Sequence, residues 1–232
     1  MHDERAEIER GLQLAREKPL SERVSFWSKQ FLGRPYIAGP LNDSDRRFRL
    51  DGFDCMTFVE TCIALGLSKS FDEILPNLDA IRYYGARPSF ETRKHFISID
   101  WISGNSGLIR PMDEPADSVC EKAIDRRKVF EVNKLEPSAD FALPLTEIAR
   151  MPFISKQKIP SAVAGLPDFS VILFVGGVEW TVVSHMGFAV KADSACILRH
   201  ASSRAGAVVE IDLIEYLDSR PSLSGATFLS LL

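Results

Sequence analysis

Nowhere in the chain do apolar residues run for the roughly 20 positions that a helix needs to cross a bilayer. The opening MHDERAEIER likewise has neither the basic patch nor the apolar stretch of an export signal. A soluble chain with no membrane span is expected. Positive charge has no surplus: 28 Lys and Arg stand against 32 Asp and Glu, a formal net charge of -4. Nucleic acid, which is bound by neutralising phosphates, is therefore not an expected partner. Cysteine and histidine are both scarce. Cys55, Cys62, Cys120 and Cys196 stand too far apart for a disulfide framework or for the paired spacing of a structural zinc site. No metal and no cofactor is expected, and each cysteine has to be weighed singly. Internal repeats and low-complexity tracts are missing as well. With 232 residues, 45% of them hydrophobic, the chain is long enough for one sizeable core. One domain over 1–232 is the expectation, with a monomer favoured although the sequence does not specify an oligomeric state.

Helix formers fill DERAEIERGLQLARE (3–17), with Ile8, Leu12 and Leu14 as a thin apolar stripe and Pro19 as the stop. A second helix is expected from Ser21, its N-cap, to about Leu32, with Val24, Trp27, Gln30 and Phe31 spaced for one face. These N-terminal helices (1–32) lead through turn-rich GRPYIAGPLNDSD (33–45) and basic RRFR to DGFDCMTFVETCIAL (51–65). From Met56 to about Leu67 the apolar residues cover so broad a surface that the helix is expected to be buried. Another helix is expected from Phe71 to about Ile81. Residues 82–170, often broken by Pro and Gly, read as an inserted and elaborated region. Short β-like runs then take over in 169–232: SVILFVG, WTVVSHMGFAV, ACILRHAS, GAVVEI and ATFLSLL, with a short helix at about Leu213 to Leu217. The class is α+β, a helical front half against a small, largely antiparallel sheet.

Cys55 stands between an acidic, glycine-containing turn and the start of the buried helix. There, unpaired backbone N–H groups and the helix dipole favour an anion. This is expected to lower the thiol below its usual pKa of about 8.5 and to raise its nucleophilic fraction. Core packing is the competing role, since unpaired cysteines are commonly buried; Cys62, about two turns deeper on the same side, is read that way. A nucleophilic thiol also needs a base within roughly 3 Å and a third group that fixes the ring of that base. Of the four histidines, His2 sits near a chain end and is set aside. His185 lies in VVSHMGFAV, where alternation puts Val183, His185 and Gly187 on one face. His200 ends the next run, ACILRH. If the two runs are neighbouring strands, the two imidazoles meet on one face, with small Gly187 and Ala201 leaving room. A helix-start cysteine opposite two histidines makes a catalytic constellation.

GRPYIAGP (33–40), FDCMTFVE (53–60), SHMGFAV (184–190) and RHASS (199–203), in that order, resemble the motifs of the NlpC-type papain-like cell-wall hydrolases. Within that superfamily, IRYYG (81–85), RKHFISIDW (93–101) and the long middle insertion are similar to the N-acetylmuramoyl-L-alanine amidase-like branch. The resemblance spans nearly the whole chain from about Ser25. It implies a papain-like cysteine hydrolase fold, with Cys55 as nucleophile at a helix N-terminus, His185 as general base and His200 orienting its ring. Tyr36, in the GxPY motif, is implied in the oxyanion environment or in substrate binding. Asp54 is implied in holding backbone or substrate groups near the helix start. Met56 departs from the Ser or Thr that many relatives carry after the cysteine, at a position without a chemical role.

The substrate so implied is a peptidoglycan fragment, cut between N-acetylmuramic acid, with the anhydro form preferred, and L-alanine. Its stem peptide is anionic, which gives an arginine in the cleft a physical reason to be there; Arg82, Arg93 and Arg199 are the candidates. His95, from RKHF, is expected at a pocket wall or behind the site. Trp101, Tyr83 and Tyr84 belong either to a sugar site or to the core. The same triad would serve a D-glutamyl to diamino-acid endopeptidase or an acyltransferase, and a wall-binding module without turnover is the non-catalytic alternative. The substrate suggests a periplasmic or secreted protein whose signal peptide has been removed, with cytoplasmic recycling as the other setting.

Overall fold

β-Branched and aromatic runs separated by glycine turns supply the strands, and the helical segments cover them. The computed structural model describes residues 2–40, 47–112, 116–192 and 195–232. Helices α1 (His2–Ala15), α2 (Leu20–Gln30), α3 (Cys55–Leu67) and α4 (Ile74–Arg82) make the front half. After them come β1 (Ile109–Pro111), β2 (Ser118–Asp125), α5 (Arg127–Val132), β3 (Thr146–Ser155) and α6 (Ile159–Ala162). The last part is β4 (Phe169–Gly176), β5 (Val183–Ala192), β6 (Ala195–Ser202), β7 (Ala207–Asp212), α7 (Leu213–Asp218) and β8 (Leu223–Leu231). These strands form one antiparallel sheet in the order β2-β3-β8-β4-β5-β6-β7, with β1 also paired to β8. Among the described residues no helix is long and apolar enough to cross a membrane.

Strand β4 explains why the sheet has a core on both sides. Its residues are apolar at nearly every position instead of alternating with polar ones, which is the pattern of a strand covered on two faces. Val171, Leu173 and Val175 face a large core with Phe58, Val59, Cys62 and Ile63 of α3. Ile172 and Phe174 face a smaller one with Leu213, Tyr216 and Leu217 of α7. Cys62 is fully buried, as its position two turns into α3 implied.

The front helices depart from expectation in detail. Leu14 is 75% exposed, and the buried stripe of α1 is Ile8, Leu12 and Ala15. Gly11 completes that face: a Cβ there would meet the Trp27 ring at 2.3 Å, so α1 rests its backbone on α2. The N-cap of α2 is Pro19 and not Ser21, and it makes no side-chain cap bond; its fixed φ of -53 starts the helix instead. Gln30 is exposed. Residues 41–45 of the turn-rich segment, and Arg46 of the basic one, lie outside the described residues.

The middle region adds β1, β2 and β3 to the sheet. β2 and β3 pair along their whole length, from Ser118↔Phe153 to Asp125↔Thr146, and β3 then joins β8 through Ile154↔Ala226 and Ser155↔Gly225. Gly225 permits that junction, since a Cβ there would lie 2.0 Å from the Ile154 carbonyl oxygen. At the other end, Lys122 Nζ donates to the carbonyls of Val178 (2.8 Å) and Thr181 (2.9 Å), tying β2 to the loop that leads into β5. Trp101 and Tyr83 are core residues, 0% and 1% exposed, and Tyr84 donates its hydroxyl to Asp100 (3.2 Å). The sugar-site alternative for the two fully buried rings is thereby corrected.

Two buried cations hold α4 in place. Arg82 donates to Glu60 Oε2 at 2.6 Å with both side chains 1% exposed, and also bonds the Arg47 carbonyl. Lys94 Nζ donates to the carbonyls of Ala80 (2.9 Å) and Ile81 (3.1 Å), near the α4 C-terminus, where a cation meets the negative end of the dipole. Removing one partner of a buried pair leaves an uncompensated charge. Arg82→Met is expected to destabilise the protein by about 3–5 kcal/mol in urea unfolding. Adding Glu60→Gln should recover part of that loss, because a neutral amide needs no counter-charge.

Candidate active site

The chain around Cys55 is pinned before the helix begins. Phe53 N–H donates to Pro35 O (3.0 Å) and Ile37 N–H to Phe53 O (2.9 Å), a short parallel bridge that lays Tyr36 beside the helix start. Asp54 then caps α3. Its carboxylate accepts from the Thr57 N–H (2.7 Å) and hydroxyl (2.8 Å), and its own N–H donates to Thr57 Oγ1 (2.9 Å). This reciprocal box satisfies donors that the first turn would leave open, with Thr in the position usually held by Glu or Gln. Cys55 is thus the first helical residue.

Its electrostatics differ from the expectation. Burial, and then the Asp54 carboxylate, push the Cys55 thiol up to about 12, although backbone N–H groups of Met186, Met56 and Cys55 favour the thiolate. Desolvation outweighs the helix start, so the resting group is a neutral thiol. Tyr36 is also held above its usual value, by burial first and by Cys55 and Asp54 next, and its hydroxyl stays a donor.

Both histidines stand where the ladder between two strands stops. β5 and β6 pair from Ala192↔Ala195 to Phe188↔Arg199, and beyond that register the pairing stops while both strands continue. The Met186 N–H that faces Cys55 lies in this stretch. Gly187 lets the histidine-bearing segments approach: a Cβ there would come 2.8 Å from Arg199 O and 2.9 Å from His200 Cβ. His185 Nε2 and His200 Nδ1 are 2.6 Å apart, with ring planes at 85°. Ala201 packs in the core on the α3 side. Val183 does not share the His185 face, contrary to simple alternation. β4 pairs Phe174 with His185 and then Val175 with Val183, and this bulge resets the pattern, so Val183 joins the α3-side core while His185 stacks on Phe174 at 5.9 Å.

Tyr216 of α7 is the site residue that sequence reasoning missed. Its ring centroid lies 5.1 Å from His200 and 6.0 Å from His185. Its only signal was an aromatic three residues after Leu213 in a short amphipathic helix, which reads as core. The two rings share a cleft of about 210 Å³ with Gly177, Ser184, Ser202, Ser203, Tyr216, Arg220 and Ser222. Burial first, with the Arg220 charge as a further cause, holds His200 down to about 4, and burial, His200 and Arg220 hold His185 down to about 3. Both rings are neutral at physiological pH.

The other predicted site residues lie elsewhere. Arg82 is buried against Glu60, and Arg199 donates to Glu210 (2.6 Å) and to Ser28 Oγ of α2 (2.7 Å), on the opposite face of β6 from His200. The assignment of these two as substrate ligands is corrected: neither lines the cleft, and each guanidinium already pairs with an acid, buried Glu60 or exposed Glu210. Arg93 bridges to Tyr83 and bears on Glu60, while His95 Nε2 is 2.7 Å from the Phe90 carbonyl; neither lines the cleft. Among the described residues no three His, Cys, Asp or Glu side chains gather as metal ligands.

The family model for AmiA-like, N-acetylmuramoyl-L-alanine amidase-like proteins matches residues 26–225. The chain belongs to this family. Cys55, His185, His200 and Tyr36 all fall inside the matched span, and membership supports an amidase-type hydrolase. No curated protein matches the chain. Among solved structures it is similar to a Legionella pneumophila protein at 24% identity and TM-score 0.86, covering 100% of this chain and 95% of that one. An N-acetylmuramoyl-L-alanine amidase from Bacteroides uniformis gives 21% identity and TM-score 0.73 over 91% of this chain and 98% of its own. A Bacteroides fragilis protein with a provisional xylanase name gives 26% and 0.75 over 87% and 97%. The first two likenesses show the shared fold.

The depressed histidines predict how stability of this AmiA-like chain depends on pH. In the unfolded chain each imidazole takes up a proton near pH 6.5, whereas in the folded chain His200 and His185 do so only near 4 and 3. As pH falls below about 6.5 the unfolded state binds more protons, and stability drops by at most about 1.4 kcal/mol per pH unit per ring. Urea midpoints at pH 7.5, 6.0 and 5.0 should fall accordingly, with a shallower slope in a His185→Gln variant.

Proposed function

We propose that the chain is a cysteine amidase of papain-like, NlpC-type architecture that hydrolyses the amide between N-acetylmuramic acid and L-alanine in peptidoglycan fragments, the anhydro form being the preferred sugar. The observation that carries this reading is that Cys55, at the first position of α3, faces the N–H of Met186, the residue after His185, whose ring is hydrogen-bonded to His200. Family membership supports the bond class.

The geometry suits a proton transfer coupled to attack, because thiol and imidazole are both neutral at rest. The required tautomer has His185 Nε2–H donating to His200 Nδ1, which leaves the His185 Nδ1 lone pair as the base. Nδ1 takes the Cys55 proton as Sγ bonds to the muramoyl carbonyl carbon, and the carbonyl π electrons move to oxygen. The Cys55 N–H and the Tyr36 hydroxyl are the donors for that oxyanion. When the intermediate collapses, the C–N bond breaks and the His185 proton passes to the alanine nitrogen. Water then attacks the thioester, gives a proton to His185 and leaves the muramic carboxylic acid, and the thiol is regenerated. His200 holds the ring in one orientation throughout.

Mass spectrometry of products from purified disaccharide- or anhydro-disaccharide-tetrapeptide tests this reading. The unmutated protein should release the whole tetrapeptide, and folded Cys55→Ala should release none. A product beginning at the diamino acid would mean an endopeptidase instead. His200→Ala should lower kcat by about 10- to 100-fold with a smaller change in KM, since it acts on the orientation of the base.

A further inference from the structure

Several arginines have an acid beside them. Arg49, Arg82, Arg126, Arg127 and Arg199 each pair with a carboxylate at 2.9 Å or less. For Arg220, among the described residues, no carboxylate pairs with it; its side chain bonds Tyr216 and makes a 3.5 Å contact from Nη1 to Ser219 Oγ. It is half-buried and lines the cleft of the two histidines together with the hydroxyl-bearing Ser184, Ser202, Ser203 and Ser222. Its guanidinium carbon lies 5.1 Å over the Tyr216 ring, which is itself 5.1 Å from the His200 ring. Arg220 also walls an adjoining cavity of about 540 Å³, so it stands where two concavities meet.

We propose that Arg220 is a specificity-determining residue that receives a free carboxylate of the stem peptide while the muramoyl amide lies at Cys55. The assignment rests on the amidase reading above for its substrate. In such a fragment the residue after L-alanine is D-glutamate linked through its side chain, and its α-carboxylate is the first free anion beyond the scissile bond. Two residues of extended chain span at most about 7 Å, and the guanidinium carbon and the His200 ring each lie 5.1 Å from the Tyr216 ring. A planar fork of donors suits a carboxylate better than a lysine would. Pairing also neutralises the charge that disfavours protonation of His185 and His200, so a bound anion eases the proton transfer that the reaction requires.

The test compares N-acetylmuramoyl-L-Ala-D-Glu with its α-amide. The unmutated protein should prefer the free acid in kcat/KM by about 10- to 100-fold, the scale of a charge-assisted hydrogen bond. Arg220→Gln should erase most of that preference, and Arg220→Lys should restore part of it. Equal losses on acid and amide in both variants would overturn the assignment. A second arm does not need turnover: titration of L-Ala-D-Glu and its α-amide into Cys55→Ala, with and without Arg220→Gln, followed by calorimetry. Tighter binding of the acid that vanishes in Arg220→Gln upholds the receptor even if the muramoyl amide is never cut, in which case it is the amidase reading that falls. Equal binding of acid and amide to Cys55→Ala would sink the receptor whatever the bond cleaved.

Discussion

The 2.6 Å hydrogen bond between His185 Nε2 and His200 Nδ1 depends on a local failure of strand pairing, and the site is organised around that failure. In regular sheet the stretch beyond Phe188↔Arg199 would be filled by ladder hydrogen bonds. Here the ladder stops, a backbone N–H of β5 turns to the Cys55 sulfur, and the two strands approach closely at a glycine whose Cβ would collide with His200. The bulge between β4 and β5 adds the second adjustment, placing His185 on Phe174 and under Tyr216. Bulges commonly redirect a side chain next to an active site, and this one leaves the adjacent Val183 in the core.

Burial sets the chemistry of the site more than any single charge does. It holds the thiol protonated and both imidazoles neutral, so no ion pair has to be stored in the resting protein. Asp54 contributes in two opposed ways. As N-cap it fixes the helix start that carries Cys55, and as a carboxylate it makes the thiolate harder to form. Helix geometry is gained at an electrostatic cost that a reaction-coupled proton transfer avoids.

The front half and the middle region act as support at a distance. The Arg82–Glu60 pair fastens α4 to α3, the helix that begins with Cys55, and Lys94 closes the same C-terminal end of α4. From the other side, β2 reaches over through Lys122 to the carbonyls of Val178 and Thr181, in the loop that precedes His185. The middle region thus extends the sheet at one edge and steadies one approach to the cleft. A buried ion pair contributes little net stability compared with apolar packing, but it tolerates few alternative arrangements.

Much of this was written in local pattern. Apolar breadth marked α3 as buried, β-rich runs marked β4 to β8, and the order of short motifs around Tyr36, Cys55, His185 and His200 pointed to a candidate site. Those features depend on neighbours within a few residues, which is why a sequence reveals them. It did not reveal which arginine faces the cleft, because Arg82, Arg199 and Arg220 are chemically identical and differ only in whether Glu60, Glu210 or no acid folds up beside them. Nor did it reveal that Tyr216 closes over the histidines, that β8 threads between β3 and β4, or that desolvation would reverse the effect of a helix start on Cys55. The sequence by itself determined the residue types and the local elements that present them. Partner, burial and register come from segments far apart in the chain, and only the tertiary structure decided them.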